Sequence, residues 1–157
     1  MGVFVIFEDS AIIRAPAHAV WDFLMDVERS SACVPGVDEL TIVDDRTFDG
    51  VVTARVGPIA GKFSFRASIV ESDPPRQTRI EVEGVDSVTR STLRMETTMT
   101  LSTVGADETE LAHRAVVEIH GRLAILGDMV LRATASMMLA EFTKQVRLQL
   151  EGSEMSA

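Results

Sequence analysis

Residues 123–150 read LAILGDMVLRATASMMLAEFTKQVRLQL, and this stretch carries two apolar stripes where an ordinary surface helix needs one. Helical spacing puts Leu131, Ala135, Met138, Phe142 and Val146 on one face. Leu126, Met129, Val130, Ala133 and Met137 fall on nearly the opposite face. The first stripe runs most of the helix and suits packing on a sheet. The second stops where Lys144 enters. A chain in water hides such a surplus under a ligand, a lipid surface or another protein.

Working back from that helix, the period of the sequence is two. Val37–Val43 and Thr47–Val56 read as strands separated by Asp44-Asp45. After Gly57-Pro58, Gly61–Glu71 alternates Phe63, Phe65, Ala67 and Ile69 with polar residues. Asp73-Pro74-Pro75 turns the chain into Thr78–Glu83. Thr89–Thr103 and Glu108–Gly121 follow, joined around Gly105-Ala106-Asp107. Leu93, Met95, Thr97, Met99 and Leu101 share one face, as do Leu111, His113, Ala115, Val117 and Ile119. At the other end of the chain, Val3–Ile13 reads as an opening strand. Pro16 sits at a helix first turn, and Val20, Trp21, Leu24 and Val27 mark a helix over Ala17–Val27. A shorter helix over Glu28–Cys33 is stopped by Pro35-Gly36.

The order is strand, two helices, about six antiparallel strands and a long closing helix. This predicts an α+β domain over residues 1–151, with 152–157 as a disordered tail. One helix laid across a curved antiparallel sheet leaves a gap, and a ligand pocket belongs there. With 157 residues and 46% hydrophobic content the chain has material for a real core. A net charge of -9 argues against nucleic acid as a partner. One cysteine, Cys33, excludes an internal disulfide and fits a reducing compartment. Met1–Ile13 lacks the form of a signal peptide, and no uninterrupted apolar run has the length of a bilayer span. The expectation is a cytoplasmic domain, or one peripheral to the inner face of the membrane.

Four stretches in this order resemble the CoxG-like family (the carbon monoxide dehydrogenase G-subunit) of the START/Bet v 1-like (SRPBCC) superfamily. They are Ala15-Pro16 with Val20-Trp21 and Leu24-Met25-Asp26, then Cys33-Val34-Pro35-Gly36-Val37, then Val56-Gly57-Pro58-Ile59-Ala60-Gly61-Lys62-Phe63. The fourth is Gly121-Arg122-Leu123-Ala124-Ile125-Leu126-Gly127, with Phe142 downstream. The resemblance implies a helix-grip fold, a curved antiparallel sheet wrapped around the closing helix. It also implies a non-catalytic accessory protein associated with molybdenum-containing carbon monoxide dehydrogenase-type hydroxylases. Such proteins are implicated in membrane recruitment or in handling an apolar molecule such as a quinone. Some members carry an apolar C-terminal extension. This chain ends at Ala157 without one, so a carrier or a transient membrane contact is the simpler expectation.

The candidate ligand wall is Val52, Ala54, Phe63, Phe65, Met95, Met99, His113 and Val117 from the strands, with Leu131, Ala135, Met138 and Phe142 from the helix. Core filling is the plain reading of each large apolar side chain. The functional reading is an adaptable wall, since methionine tolerates varied ligand shapes. His113 is read first as a satisfied core histidine and second as a hydrogen-bond donor to a ligand carbonyl. The second stripe, Leu126, Met129, Val130, Ala133 and Met137, is the candidate partner or membrane contact, and a homodimer through it is compatible with the cavity.

No histidine pair has metal-ligand spacing, and neither a metal nor another cofactor is expected. The sequence holds no nucleophile elbow, zinc-protease motif, phosphate loop or dinucleotide fingerprint. The competing expectation is a polyketide cyclase/dehydrase-like enzyme of the same superfamily, with His113 paired to Arg55 or Glu96. Strand alternation places Glu96 outward and Arg55 opposite Ala54, against that pairing.

Overall fold

The computed structural model of the chain describes residues 2–155. Strand β1 (Gly2–Ile13) leads into helices α1 (Ala17–Met25) and α2 (Val27–Ser31). Six strands then run in hairpin succession. They are β2 (Val37–Ile42), β3 (Thr47–Val56), β4 (Ile59–Asp73), β5 (Gln77–Asp86), β6 (Thr92–Gly105) and β7 (Glu108–His120). A 3₁₀ turn (Arg122–Leu126) precedes the closing helix α3 (Gly127–Met155). Part of the segment read as a tail therefore continues α3, and residues 156–157 lie outside those described.

The seven strands form one antiparallel sheet in the order β1-β7-β6-β5-β4-β3-β2. Each hairpin needs only a short turn, so the sheet grows by neighbours and β1 returns to pair with the last strand. The register aligns inner-face residues across the sheet: Phe7 with Ala115, Ala115 with Thr97, Thr97 with Ile80, and Ile80 with Ile69. The outer face carries cross-strand ion pairs such as Arg66–Asp49 at 2.7 Å.

Helix α3 lies along β1 and covers that open sheet edge. Arg132 Nη1 donates to the Ile6 carbonyl at 2.7 Å and Arg147 Nε to the Ile12 carbonyl at 3.1 Å. Two of the edge strand's outward carbonyls are thereby satisfied, which blunts the edge against pairing with another chain. At its start α3 meets the β3–β4 turn. Gly57 there has φ +59°, and a Cβ on it would come within 3.1 Å of Val130 Cγ1. The sheet therefore curls until its β3 side also reaches the helix.

The expected single helix from Leu123 is broken at Gly127, whose φ of +85° is the left-handed region that glycine tolerates. Counted together, Arg122–Glu151 is long and apolar enough by composition to cross a membrane. The averaged hydropathy passes that test even though Asp128 and Arg132 interrupt the apolar run. Within this segment Leu123, Ala124, Leu131, Leu139 and Val146 are buried in the fold.

Candidate functional site

The core is divided into a lower cluster near α1 and a separate upper cluster near the 3₁₀ turn. One gathers Ile13, Val20, Phe23, Leu24, Met99, Leu101, Leu111 and Val146 near α1. The other gathers Val5, Val56, Phe63, Ala115, Val117, Ile119, Leu123 and Leu131 near the 3₁₀ turn. Leu131 and Val146 belong to different clusters and stand about 22 Å apart along α3 at helical rise. Between them Leu139 on the helix and Ala67 and Thr97 on the sheet are buried, while Phe65 and Val82 on the sheet and Ala135 and Met138 on the helix are half-buried. A filled core buries its central layer most deeply. Here the layer between the clusters mixes buried with half-buried side chains.

Of the candidate wall, Phe63, Val117 and Leu131 belong to the upper cluster and Met99 to the lower. Val52 and Met95 pack half-buried against the upper cluster, and Phe142 against the lower. Ala54, Phe65, Ala135 and Met138 are half-buried between or beside them.

His113 stands at the boundary. Its Nε2 meets Thr97 Oγ1 at 2.7 Å. Its Nδ1 is buried with no hydrogen-bond partner. Phe142 meets the imidazole edge-on, with centroids 6.3 Å apart and planes at 75°. Burial pushes the His113 pKa down to about 4, only partly offset by the negative charge of Asp9, so the ring is neutral at neutral pH. A buried ring nitrogen without a partner costs roughly 1–3 kcal/mol. Beside the buried Thr97, the Nδ1 of His113 is a buried polar atom left without a partner among the described residues.

Beside the upper cluster lies a polar loop that the sequence did not disclose. Asp86 is buried and accepts from Lys62 N–H at 2.8 Å and from Thr89 N–H at 2.9 Å. Burial raises its pKa, but the Thr89 hydroxyl and these backbone donors together outweigh it and hold the carboxyl below its ordinary value. Ser91, also buried, accepts from Leu123 N–H at 3.0 Å, which ties the β5–β6 loop to the 3₁₀ turn.

The sequence pattern of CoxG, the carbon monoxide dehydrogenase G-subunit, matches residues 10–151. The chain belongs to the CoxG family. No curated protein matches the chain. Among solved structures, a conserved protein from Geobacillus kaustophilus is 19% identical with a TM-score of 0.88, covering 95% of this chain and 97% of that one. A START superfamily protein from Mycobacterium smegmatis is 13% identical with a TM-score of 0.69, covering 94% of this chain and 97% of that one. An aromatase/cyclase from Streptomyces sp. R1128 is 17% identical with a TM-score of 0.67, covering 95% of this chain and 94% of that one. These likenesses establish the START/polyketide cyclase-like fold. CoxG membership and that fold together point to a ligand-binding scaffold.

In this CoxG family member the second helix stripe divides. Leu126 and Val130 are half-buried against the upper cluster, whereas Met129, Ala133 and Met137 face solvent. Met129 is 82% and Met137 60% exposed, and Ile125, in the 3₁₀ turn, is 73% exposed. Leu126 and Val130 are the two that lie beside Gly57 of the β3–β4 turn. Leu139 is buried on α3 and belonged to neither sequence stripe. Glu96 lies beside Arg79 at 3.6 Å on the outer face, and Arg55 is exposed. Neither faces His113, so the acid–base pair that the cyclase reading required is not assembled. Cys33 is buried, its Sγ lies 3.7 Å from the Arg29 carbonyl, and burial pushes its thiol up, away from reactivity. Among the described residues no cluster of metal-ligating side chains occurs.

Two open grooves lie elsewhere. One, about 770 Å³, is a saddle on the outer face lined by Asp49, Arg66, Glu83 and Arg94. The other, about 490 Å³, runs between β1 and α3 past Asp9, Lys144 and Arg147. The first is floored by charges that already pair with each other, Arg66 with Asp49 and Arg94 with Glu83, which leaves little for a ligand to satisfy.

Proposed function

We propose that this protein is a non-catalytic carrier of a hydrophobic molecule, lipid or quinone-like, held between the sheet and α3. The observation that carries the reading is the split core, with half-buried Phe65, Ala135 and Met138 between two well-packed clusters. As a CoxG family member it would serve a molybdenum-containing carbon monoxide dehydrogenase-type hydroxylase, on the cytoplasmic side and peripheral to the membrane. Solvent extraction of the purified protein followed by mass spectrometry tests the reading. A stoichiometric apolar molecule is expected. An empty extract, together with no uptake of the hydrocarbon dye diphenylhexatriene, refutes it.

A transient contact with an anionic lipid surface completes the proposal. The end of the domain beside the 3₁₀ turn presents Arg55, Lys62, Arg90 and Arg122, none in an ion pair among the described residues. Between these cations Val88, Ile125 and Met129 project into solvent. In a chain of net charge -9 this basic, apolar end is the part an acidic bilayer attracts, and the rest is repelled, which sets the orientation. Flotation with phosphatidylserine-containing vesicles is expected to recover the protein. Flotation unchanged in Arg90→Glu/Arg122→Glu removes the lipid contact from the proposal. Self-association lost in Val130→Glu/Met137→Glu, with flotation intact, assigns the exposed stripe to a homodimer instead.

A further inference from the structure

His113 is the one inner-face side chain whose chemistry the cavity reading leaves open, and the inference drawn from it rests on that reading. Its ring has two nitrogens in different situations. Nε2 shares a hydrogen bond of 2.7 Å with the Thr97 hydroxyl, and Nδ1 has no partner. Asp9 stands opposite His113 in the β1–β7 register but is exposed and makes no hydrogen bond to the ring. No cation faces it on β6 or β7, where Met99, Leu111 and Ala115 are its inner-face neighbours.

A neutral imidazole carries one proton, and the Thr97 hydroxyl can either donate or accept. When Thr97 donates to Nε2, the ring proton sits on Nδ1, which becomes a donor. When Thr97 accepts from Nε2–H, Nδ1 is a bare acceptor. Both arrangements keep the ring neutral and the Thr97 bond intact. We infer that His113 and Thr97 form a tautomer-adjustable anchor for a single oxygen of the bound molecule, matching either a carbonyl or a phenolic hydroxyl. The site then holds the carbonyl and hydroxyl forms of one apolar ring skeleton with similar strength. A carboxylate is disfavoured, because nothing there compensates its charge. The half-buried Phe142 ring meets His113 edge-on, and a turn of that ring admits the oxygen to Nδ1.

The test displaces diphenylhexatriene, which has no heteroatom, from the full chain with 2-undecanone and with 4-heptylphenol. The two are expected to compete with midpoints within about threefold of each other, since each makes one hydrogen bond. In His113→Phe both midpoints rise about tenfold, the factor of one lost hydrogen bond, while the dye itself still binds. Nitrogen-15 spectra of the unsubstituted protein give a readout independent of the variant's folding. The proton should sit on Nδ1 with the ketone and on Nε2 with the phenol. The same tautomer with both ligands, or midpoints unmoved in His113→Phe, overturns the anchor and leaves the cavity reading standing. Failure of diphenylhexatriene to bind at all overturns both.

Discussion

Acidification probes the interior directly, because His113 is neutral in the fold and protonated in the unfolded chain. Its folded pKa of about 4 lies below the unfolded value of 6.5. Between those two values the unfolded state binds more protons, so stability falls as pH drops through this window and stops falling below it. The full difference of about 2.5 units, at 1.36 kcal/mol each, is roughly 3 kcal/mol of native stability. Burial is the main cause, and the charge of Asp9 already offsets part of it. The carboxyl of Asp86, held below its ordinary value, titrates under this window and loses its contribution only as pH falls further. Urea denaturation of the protein and of His113→Phe at several pH values separates the effects, because every other group titrates in both. The difference between the two stabilities should shrink or reverse by roughly 3 kcal/mol between about pH 7 and pH 4. Two parallel stability curves would refute the claim that His113 is buried and neutral.

Three further outcomes are expected. Asp86→Ala strips the acceptor from Lys62 N–H and Thr89 N–H and should cost on the order of 3 kcal/mol in chemical denaturation, with loosened amide exchange in the β5–β6 loop. Gly36→Ala places a Cβ at φ +84° within 2.0 Å of the Thr53 carbonyl oxygen, so a loss of at least about 2 kcal/mol is expected from strain and displaced backbone. Phe23 is fully buried and Phe142 only half, so Phe23→Ala should cost about 3–5 kcal/mol and Phe142→Ala clearly less. Equal losses would mean that Phe142 faces a filled core.

Strand periodicity disclosed the sheet because alternation is a local signal: Thr47–Val56 is bounded in the structure as its sequence implies. Strands β4 and β5 reach further than expected, to Asp73 and Asp86. Ser72 and Asp73 continue β4 up to the expected Pro74-Pro75 turn, and β5 ends on a buried carboxylate, Asp86. Asp86, Ser91 and Thr109 read in sequence as ordinary loop and strand-end residues. Only the tertiary arrangement puts Thr109 Oγ1 2.7 Å from the Ala15 carbonyl and Ser91 under Leu123. Helix α3 failed in a different way. The apolar pattern continues smoothly through Gly127, so nothing in the period marks the break, and phase was carried into Leu126 where none applies. Leu139 was missed because the buried face is wider than a five-residue stripe.

The closing helix is held at two places, and on the proposed carrier reading their positions bear on how a guest would enter. Leu131 is packed into the upper cluster and Arg132, next to it, grips the Ile6 carbonyl. Val146 is packed into the lower cluster and Arg147, next to it, grips the Ile12 carbonyl. Each pin combines a buried apolar contact with a charged hydrogen bond to the same edge strand. The residues between them, Ala135, Met138 and Phe142, meet the sheet with short, flexible or rotatable side chains. Separation of the helix from the sheet would have to break both cores at once, whereas side-chain rearrangement between the pins breaks neither. On that reading entry would ask for motion of Met138 and Phe142 around the buried Leu139, not for opening of the fold. That division of labour is what two separated cores accomplish and one continuous core would forbid.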